Sequence, residues 1–200
     1  MIDSRLESTL EPESRIVNAT CNLVLESLAK ATEPLDYSLA LAGYFKILEF
    51  ELTRKIFVPF SAMHGATATP CAASFRNAKQ LSRLVNESSI SLGEMLLVLE
   101  SLCEVTAHTA GTVHQKLKAF LRAHFDKGYY FYGKAKLAAR LSSAVAEYRN
   151  PGIHRRIFAR EDYANIKNRL LGDERTPGLV NLAISCMRPV AADRTNPDSA

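Results

Sequence analysis

Residues 37–57 read YSLALAGYFKILEFELTRKIF, and this stretch decides the fold. Leu41, Tyr44, Phe45, Leu48, Leu52 and Ile56 recur at spacings of three and four. That is the period of a helix with one buried stripe, not the alternation of a strand. The spacing predicts a helix from about Leu35 to Phe57, ended at Pro59 because proline lacks a backbone donor. Toward the N-terminus, the TEPLD segment breaks the chain after a helix expected over about Glu13 to Ala31. Its packing side is expected to be Ile16, Ala19, Leu23, Val24 and Leu28. Toward the C-terminus, SAMHGATATPCAAS (61–74) reads as a loop, followed by a short helix at about Ser74 to Val85.

The remainder continues in the same register. Ser91 and Glu94 have the spacing of a capping box, and Ile90 and Met95 that of a hydrophobic staple. A second capping-box spacing, Thr112 to Gln115, opens a helix with Val113, Leu117, Phe120 and Leu121 on its stripe. DKGYYFYGK (126–134) interrupts. A helix from about Lys134 to Asn150 should turn Leu137, Leu141, Ala144, Val145 and Tyr148 inward. A last helix, Arg160 to Leu171, packs Tyr163, Ile166 and Leu170 and closes at Gly172. No strand alternation or internal repeat persists, so the fold class is all-α, an up-and-down helical bundle with extra short helices. The expected organisation is an N-terminal segment (1–14), a helical domain (15–175) and a polar C-terminal tail (176–200).

The 200 residues are 47% hydrophobic, with mean hydropathy −0.07, enough apolar material for one core. No apolar run approaches a membrane span, and MIDSRLESTLEPESR lacks the apolar core of a secretory signal. A cytoplasmic protein that does not enter a membrane is the expectation. Cys21, Cys71, Cys103 and Cys186 form no C-x-x-C pair, so reduced and mostly buried thiols are expected, and neither a metal nor a cofactor. The net charge of +4 permits an anionic partner without demanding one. Its distribution says more. Lys134, Lys136, Arg140, Arg149, Arg155, Arg156, Arg160, Lys167 and Arg169 gather in one stretch against only Glu147, Glu161 and Asp162.

In the middle of that stretch stands AEYRNPGIHRR (146–156). In an unbroken helix Arg149 and His154, five residues apart, would be separated by roughly 140° around the axis. Pro151 disfavours helical geometry at Asn150 and Gly152 adds freedom, so a turn there is expected to aim both side chains at one point. Imidazole suits proton transfer near neutral pH, and guanidinium suits bidentate contact with phosphate. The pair fits RNA cleavage without a metal. One histidine removes the proton of a ribose 2′-OH that attacks the adjacent phosphate, while arginine neutralises the growing charge. A second histidine, needed as the acid, would come from a two-fold partner.

The R-N-x-x-x-H arrangement at the end of a late helix resembles the HEPN (higher eukaryotes and prokaryotes nucleotide-binding) superfamily, whose signature is R-x(4–6)-H. Lys46 and Glu49 in the helix of residues 37–57 resemble that family's K-x-x-E character, and the resemblance extends over about residues 15 to 175. It implies a HEPN-like bundle, a homodimer with two motifs meeting in a cleft, and an endoribonuclease acting on RNA as a toxin or antiviral defence effector. An antitoxin or a larger defence complex is the further partner it implies. Arg149, Asn150 and His154 are then the catalytic candidates, Arg155 and Arg156 the RNA-binding ones, and Lys46 and Glu49 their support. The alternative is a non-catalytic HEPN module that binds a nucleotide or a partner protein. Some members carry a tyrosine two residues after the histidine, which a partner nucleotidyltransferase modifies; here that position is Arg156.

Other groups read as structural. Tyr129, Tyr130, Phe131 and Tyr132 could stack on bases, but an aromatic cluster beside a helix start more often packs. Glu104 and His108 have helical spacing without a further ligand, and His64, His114 and His124 read as core or surface histidines.

Overall fold

The computed structural model describes residues 2–31, 35–64, 90–104, 112–150, 156–173 and 175–190. Within them the chain is helical. α1 is Ser4–Glu7, α2 Pro12–Lys30 and α3 Ser38–Leu52; α3 runs through a π-turn, Thr53–Phe57, into α4, Val58–His64. α5 is Leu92–Ser101 with a 3₁₀ turn Leu102–Glu104, α6 Val113–His124, and Gly128–Phe131 a 3₁₀ turn. α7 is Leu137–Ala144 with a π-turn Val145–Arg149, α8 Arg160–Leu171 and α9 Leu179–Cys186. No strand forms among the described residues; isolated bridges join Phe125 to Pro189 and Gly172 to Pro177. The all-α bundle is therefore the fold.

α3 is the central helix. Leu41, Tyr44, Phe45, Leu48, Leu52 and Ile56 are all buried, as their spacing required. Each large apolar side chain so enclosed contributes about 1.5–3 kcal/mol relative to exposure. The Ser91 capping box is complete, with Ser91 Oγ accepting from the Glu94 N–H and the Glu94 carboxylate accepting from the Ser91 N–H. Thr112 caps α6 by accepting from the Gln115 N–H. Leu137, Leu141, Ala144, Val145 and Tyr148 all face inward. Gly172 closes α8 at φ +86°, where an L side chain is strained.

Four local expectations change. Pro59 does not end the helix: the Val58 N–H bonds to the Thr53 carbonyl, five residues back, and helix continues to His64. The widened π-turn gives room for a ring that would clash with a carbonyl in regular α-geometry. Ser61 to His64 are thus helical, while the rest of the expected loop and the helix at 74–85 lie outside the described residues. α7 begins at Leu137 rather than Lys134, because Lys136 adopts a left-handed conformation at φ 45°. The core passes both expected domain limits. Ile2, Leu6 and Leu10 of the N-terminal segment are buried, and so are Leu179, Val180, Ala183 and Ile184 of α9, where a polar tail was expected.

α2 is the largest departure. Its bounds match, but of the expected packing side Ile16, Ala19 and Leu23 stand exposed; Leu28, with Val17 and Leu25, packs against the core, and Ser14, Asn18 and Cys21 are buried. Gly43 permits this close packing: a methyl there would overlap Cys21 Sγ. Glu51 fastens the α1–α2 link from below. It is fully buried, its Oε1 accepts from the Glu11 N–H at 2.8 Å, and its Oε2 lies 2.6 Å from Lys55 Nζ. Lys55 also donates to the Thr9 carbonyl at 2.5 Å.

Candidate functional site

Arg149 is the last residue of the α7 π-turn. The Asn150 N–H bonds to the Val145 carbonyl, one residue further back than in an α-helix. Such a turn carries one extra residue, so later side chains shift by roughly 100° around the axis relative to an unbroken α-helix. This phase shift turns Arg149 toward α3. Its Nη2 lies 3.7 Å from Glu49 Oε2, and Lys46 Nζ lies 3.4 Å from the same oxygen. Two cations from different helices thus share one carboxylate. Glu49 and Arg149 are mostly enclosed, at 19% and 27% side-chain exposure. Lys46, more open, also lies over the Phe50 ring, 4.8 Å from its centroid.

Asn150 is exposed and still helical, at φ −66° and ψ −47°. This corrects the expectation that Pro151 pushes Asn150 out of helical geometry. The preference before proline is steric and partial, and here the π-turn hydrogen bond holds Asn150 in place. Within the described residues it is the π-turn, not the proline, that reorients Arg149. His154, Arg155, Pro151 and Gly152 lie outside the described residues.

Arg156 is placed, and it is engaged. Its Nη2 lies 3.5 Å from Asp162 Oδ1 and its guanidinium 4.9 Å from the Phe158 ring centroid, with half its side chain open to solvent. Asp36 secures this segment to the start of α3. Its Oδ1 accepts from the Ser38 N–H at 2.9 Å, Ser38 Oγ at 2.6 Å and the Phe158 N–H at 3.1 Å. The little burial Asp36 has favours protonation, but the Ser38 and Phe158 hydrogen bonds outweigh it and hold the carboxyl below its usual range.

Sequence reading missed the brace on the far side of α7. Arg169 of α8 donates from Nη1 to Glu147 Oε2 at 2.9 Å and to Tyr148 Oη at 2.5 Å, with its guanidinium over the Tyr148 ring. Burial and the Glu147 carboxylate raise the Tyr148 phenol, Arg169 opposing them. Glu147 and Arg149 therefore point to different neighbours, as their two-residue offset requires. Beneath, Tyr44 and Tyr163 join hydroxyls at 3.1 Å, and burial raises the Tyr44 phenol strongly. No spacing signal links Arg169 to Tyr148, because the contact is tertiary.

An apolar groove of about 370 Å³ runs between α2 and α3 and ends at Lys46, Glu49 and Arg149. Val17, Thr20, Val24, Leu39 and Ala42 are among its walls. The other candidates take structural places. His114 is buried with Nε2 3.1 Å from Ser101 Oγ, His124 stacks on Phe120, and His64 tilts against Phe60. Phe131 and Tyr132 are core, Tyr130 is partly buried against it, and the exposed Tyr129 ring lies against Tyr130. Cys21 and Cys186 are buried and Cys103 exposed; Cys71 and His108 lie outside the described residues. Among the described residues no group of three or more His, Cys, Asp or Glu side chains could hold a metal ion, and no helix is long and apolar enough to cross a membrane. Comparison with protein-family models, with characterised proteins and with solved structures finds no match.

Proposed function

We propose that the chain is an RNA-directed helical module of HEPN type, and within that class a metal-independent endoribonuclease acting as a cytoplasmic toxin or defence effector. One observation carries the reading. The two motifs that suggested it, K-x-x-E at Lys46 and Glu49 and R-N at Arg149 and Asn150, are remote in sequence and meet in space. Neither motif required the other by periodicity.

In this reading His154 takes the proton from a ribose 2′-OH. The 2′-oxygen attacks the adjacent phosphorus, and the P–O5′ bond breaks, leaving a 2′,3′-cyclic phosphate. The departing 5′-oxygen receives its proton from the second copy's histidine. Arg149 neutralises the charge on the non-bridging oxygens, and Glu49 with Lys46 fixes where its guanidinium stands. Asn150 bonds the RNA backbone. Arg155 and Arg156 supply salt-dependent phosphate contacts.

Single-stranded RNA incubated with purified protein in EDTA tests this. Cleavage to cyclic-phosphate ends is expected, with a loss of about 10²-fold or more in both Arg149→Ala and His154→Ala. Equal cleavage by His154→Ala, or activity only with added Mg²⁺, would sink the mechanism. The Glu49 carboxylate beside Arg149 favours a second reading, in which the site holds a nucleotide or partner without cutting. That reading expects saturable nucleotide binding, weakened by Arg149→Ala, and no cleavage products.

A further inference from the structure

The groove between α2 and α3 is apolar along its length and cationic at one end. Its volume of about 370 Å³ falls among small-molecule sites, which span about 300–1,000 Å³. Leu39, Ala42, Lys46 and Glu49 follow one another on α3 at spacings of three and four, so one face of that helix runs the whole groove. Val17, Thr20 and Val24 form the α2 wall in the same way. Val17 packs against the core, so this wall is held in place. Gly43 keeps the floor low: a Cβ there would overlap Cys21 Sγ and stand 3.8 Å from Val17 Cγ1.

The two ends differ in charge. Lys46 and Arg149 share the Glu49 carboxylate, which leaves one positive charge in excess. At 3.7 Å the Arg149–Glu49 contact is an ion pair and not a hydrogen bond, and no described group accepts a hydrogen bond from the Arg149 guanidinium. Its donors are therefore available to a ligand, and the single excess charge matches a monoanion. The body of the groove excludes a nucleobase as its natural occupant. None of its described lining residues is aromatic, so a base has no ring to stack on, and most of its edge would lose hydrogen bonds to water without replacement. An alkyl chain has no such bonds to lose and gains from burial.

We propose that the groove binds a single-chain alkyl carboxylate, its carboxylate on Arg149 and Lys46 and its tail ending at the exposed Leu39. The helix sets the length. Glu49 lies ten residues beyond Leu39, about 15 Å along the axis. With C–C bonds of about 1.5 Å in an extended zigzag, about ten to twelve carbons cover that distance. Glu49 balances one of the two cations and the ligand balances the other. The proposal needs the Arg149 guanidinium but not His154, so it stands apart from the ribonuclease reading.

Isothermal titration calorimetry tests it on the full chain, without RNA and below micelle-forming concentrations. Decanoate is expected to bind saturably, one per chain, and decyltrimethylammonium, with the same tail and the opposite charge, not at all. Hexanoate should bind more weakly, by about two- to fourfold for each methylene removed. Arg149→Ala should weaken decanoate by about tenfold or more and leave decanol unchanged. Leu39→Glu, at an exposed position that the fold does not need, should weaken decanoate and leave hexanoate unchanged, because the shorter tail does not reach it. No decanoate binding overturns the proposal, as does equal binding of the anionic and cationic amphiphiles. Decanoate binding that neither Arg149→Ala nor Leu39→Glu weakens overturns the assignment to this groove. Binding to anionic phospholipid vesicles but not to dissolved decanoate overturns it in favour of a membrane surface, and AMP binding that decanoate cannot displace overturns it in favour of a nucleotide.

Discussion

Replacing Glu51 tests how the floor of the bundle is held, and the structure sets the size of the effect. Glu51 is fully buried and meets two partners from different parts of the chain: the Glu11 N–H at 2.8 Å and the Lys55 ammonium at 2.6 Å. Glu51→Ala leaves a part-buried N–H unpaired and an ammonium, itself 15% exposed, without its counter-charge. Removing one member of a buried pair costs about 3–5 kcal/mol. The partial exposure of Lys55 and its second bond to the Thr9 carbonyl let it relax, which points to the lower end. For a chain of this length each kcal/mol moves Tm by about 2–4 °C, so a fall of roughly 6–12 °C is expected. Glu51→Gln keeps an acceptor for the Glu11 N–H and should lose about half as much. Urea unfolding followed by circular dichroism gives both values. Lys55→Met then closes a double-mutant cycle, and the double variant Glu51→Ala/Lys55→Met should cost about 1–3 kcal/mol less than the two single losses together. Strict additivity, or a Glu51→Ala loss under about 1 kcal/mol, refutes the account of a coupled buried pair.

Two further outcomes follow from contacts flanking the candidate site. Gly43→Ala drives a methyl into Cys21 Sγ and should destabilise by about 1–3 kcal/mol despite alanine's better helix propensity, while Cys21→Ala/Gly43→Ala restores most of it; a neutral Gly43→Ala would show that α2 and α3 do not approach so closely. Asp36 has a folded-state pKa below its unfolded value of about 3.9, so its contribution is complete above that value and is lost as pH falls through the lower folded one. Denaturation midpoints of the parent and Asp36→Asn should therefore differ at pH 6 and converge below about pH 4; a gap that stays constant into acid contradicts the assignment.

The period of residues 37–57 was enough to find the central helix, because side chains that must all meet one core repeat at the helix's own spacing. Capping at Ser91 and Thr112 was legible for a similar reason: donor and acceptor are both local. The π-turns were not legible. The turn at Thr53–Phe57 carries the Lys55 that pairs with Glu51 and precedes Pro59, and the turn at Val145–Arg149 aims Arg149 at Glu49. The Lys55–Glu51 pair has ordinary i,i+4 spacing and the Arg149–Glu49 contact is tertiary, and neither marks a π-turn in the sequence. The motifs at Lys46, Glu49, Arg149 and Asn150 could be read from the chain, and their meeting only through the family resemblance; the clasp of Arg169 on Tyr148 could not be read at all.

α2 shows where periodicity stops informing. Its apolar residues lie on one side as an amphipathic helix requires, and the natural inference sends that side into the bundle. The structure divides them: Ile16 and Leu23 stand exposed, while Val17, Leu25 and Leu28 pack against the core beside buried Ser14, Asn18 and Cys21. The stripe runs along the flank of α2, so its two edges meet different surroundings. A helix can then be read correctly for amphipathicity and wrongly for direction. The same argument gives the groove its place: it lies along that flank, between α2 and α3, and it ends at the carboxylate that Lys46 and Arg149 share.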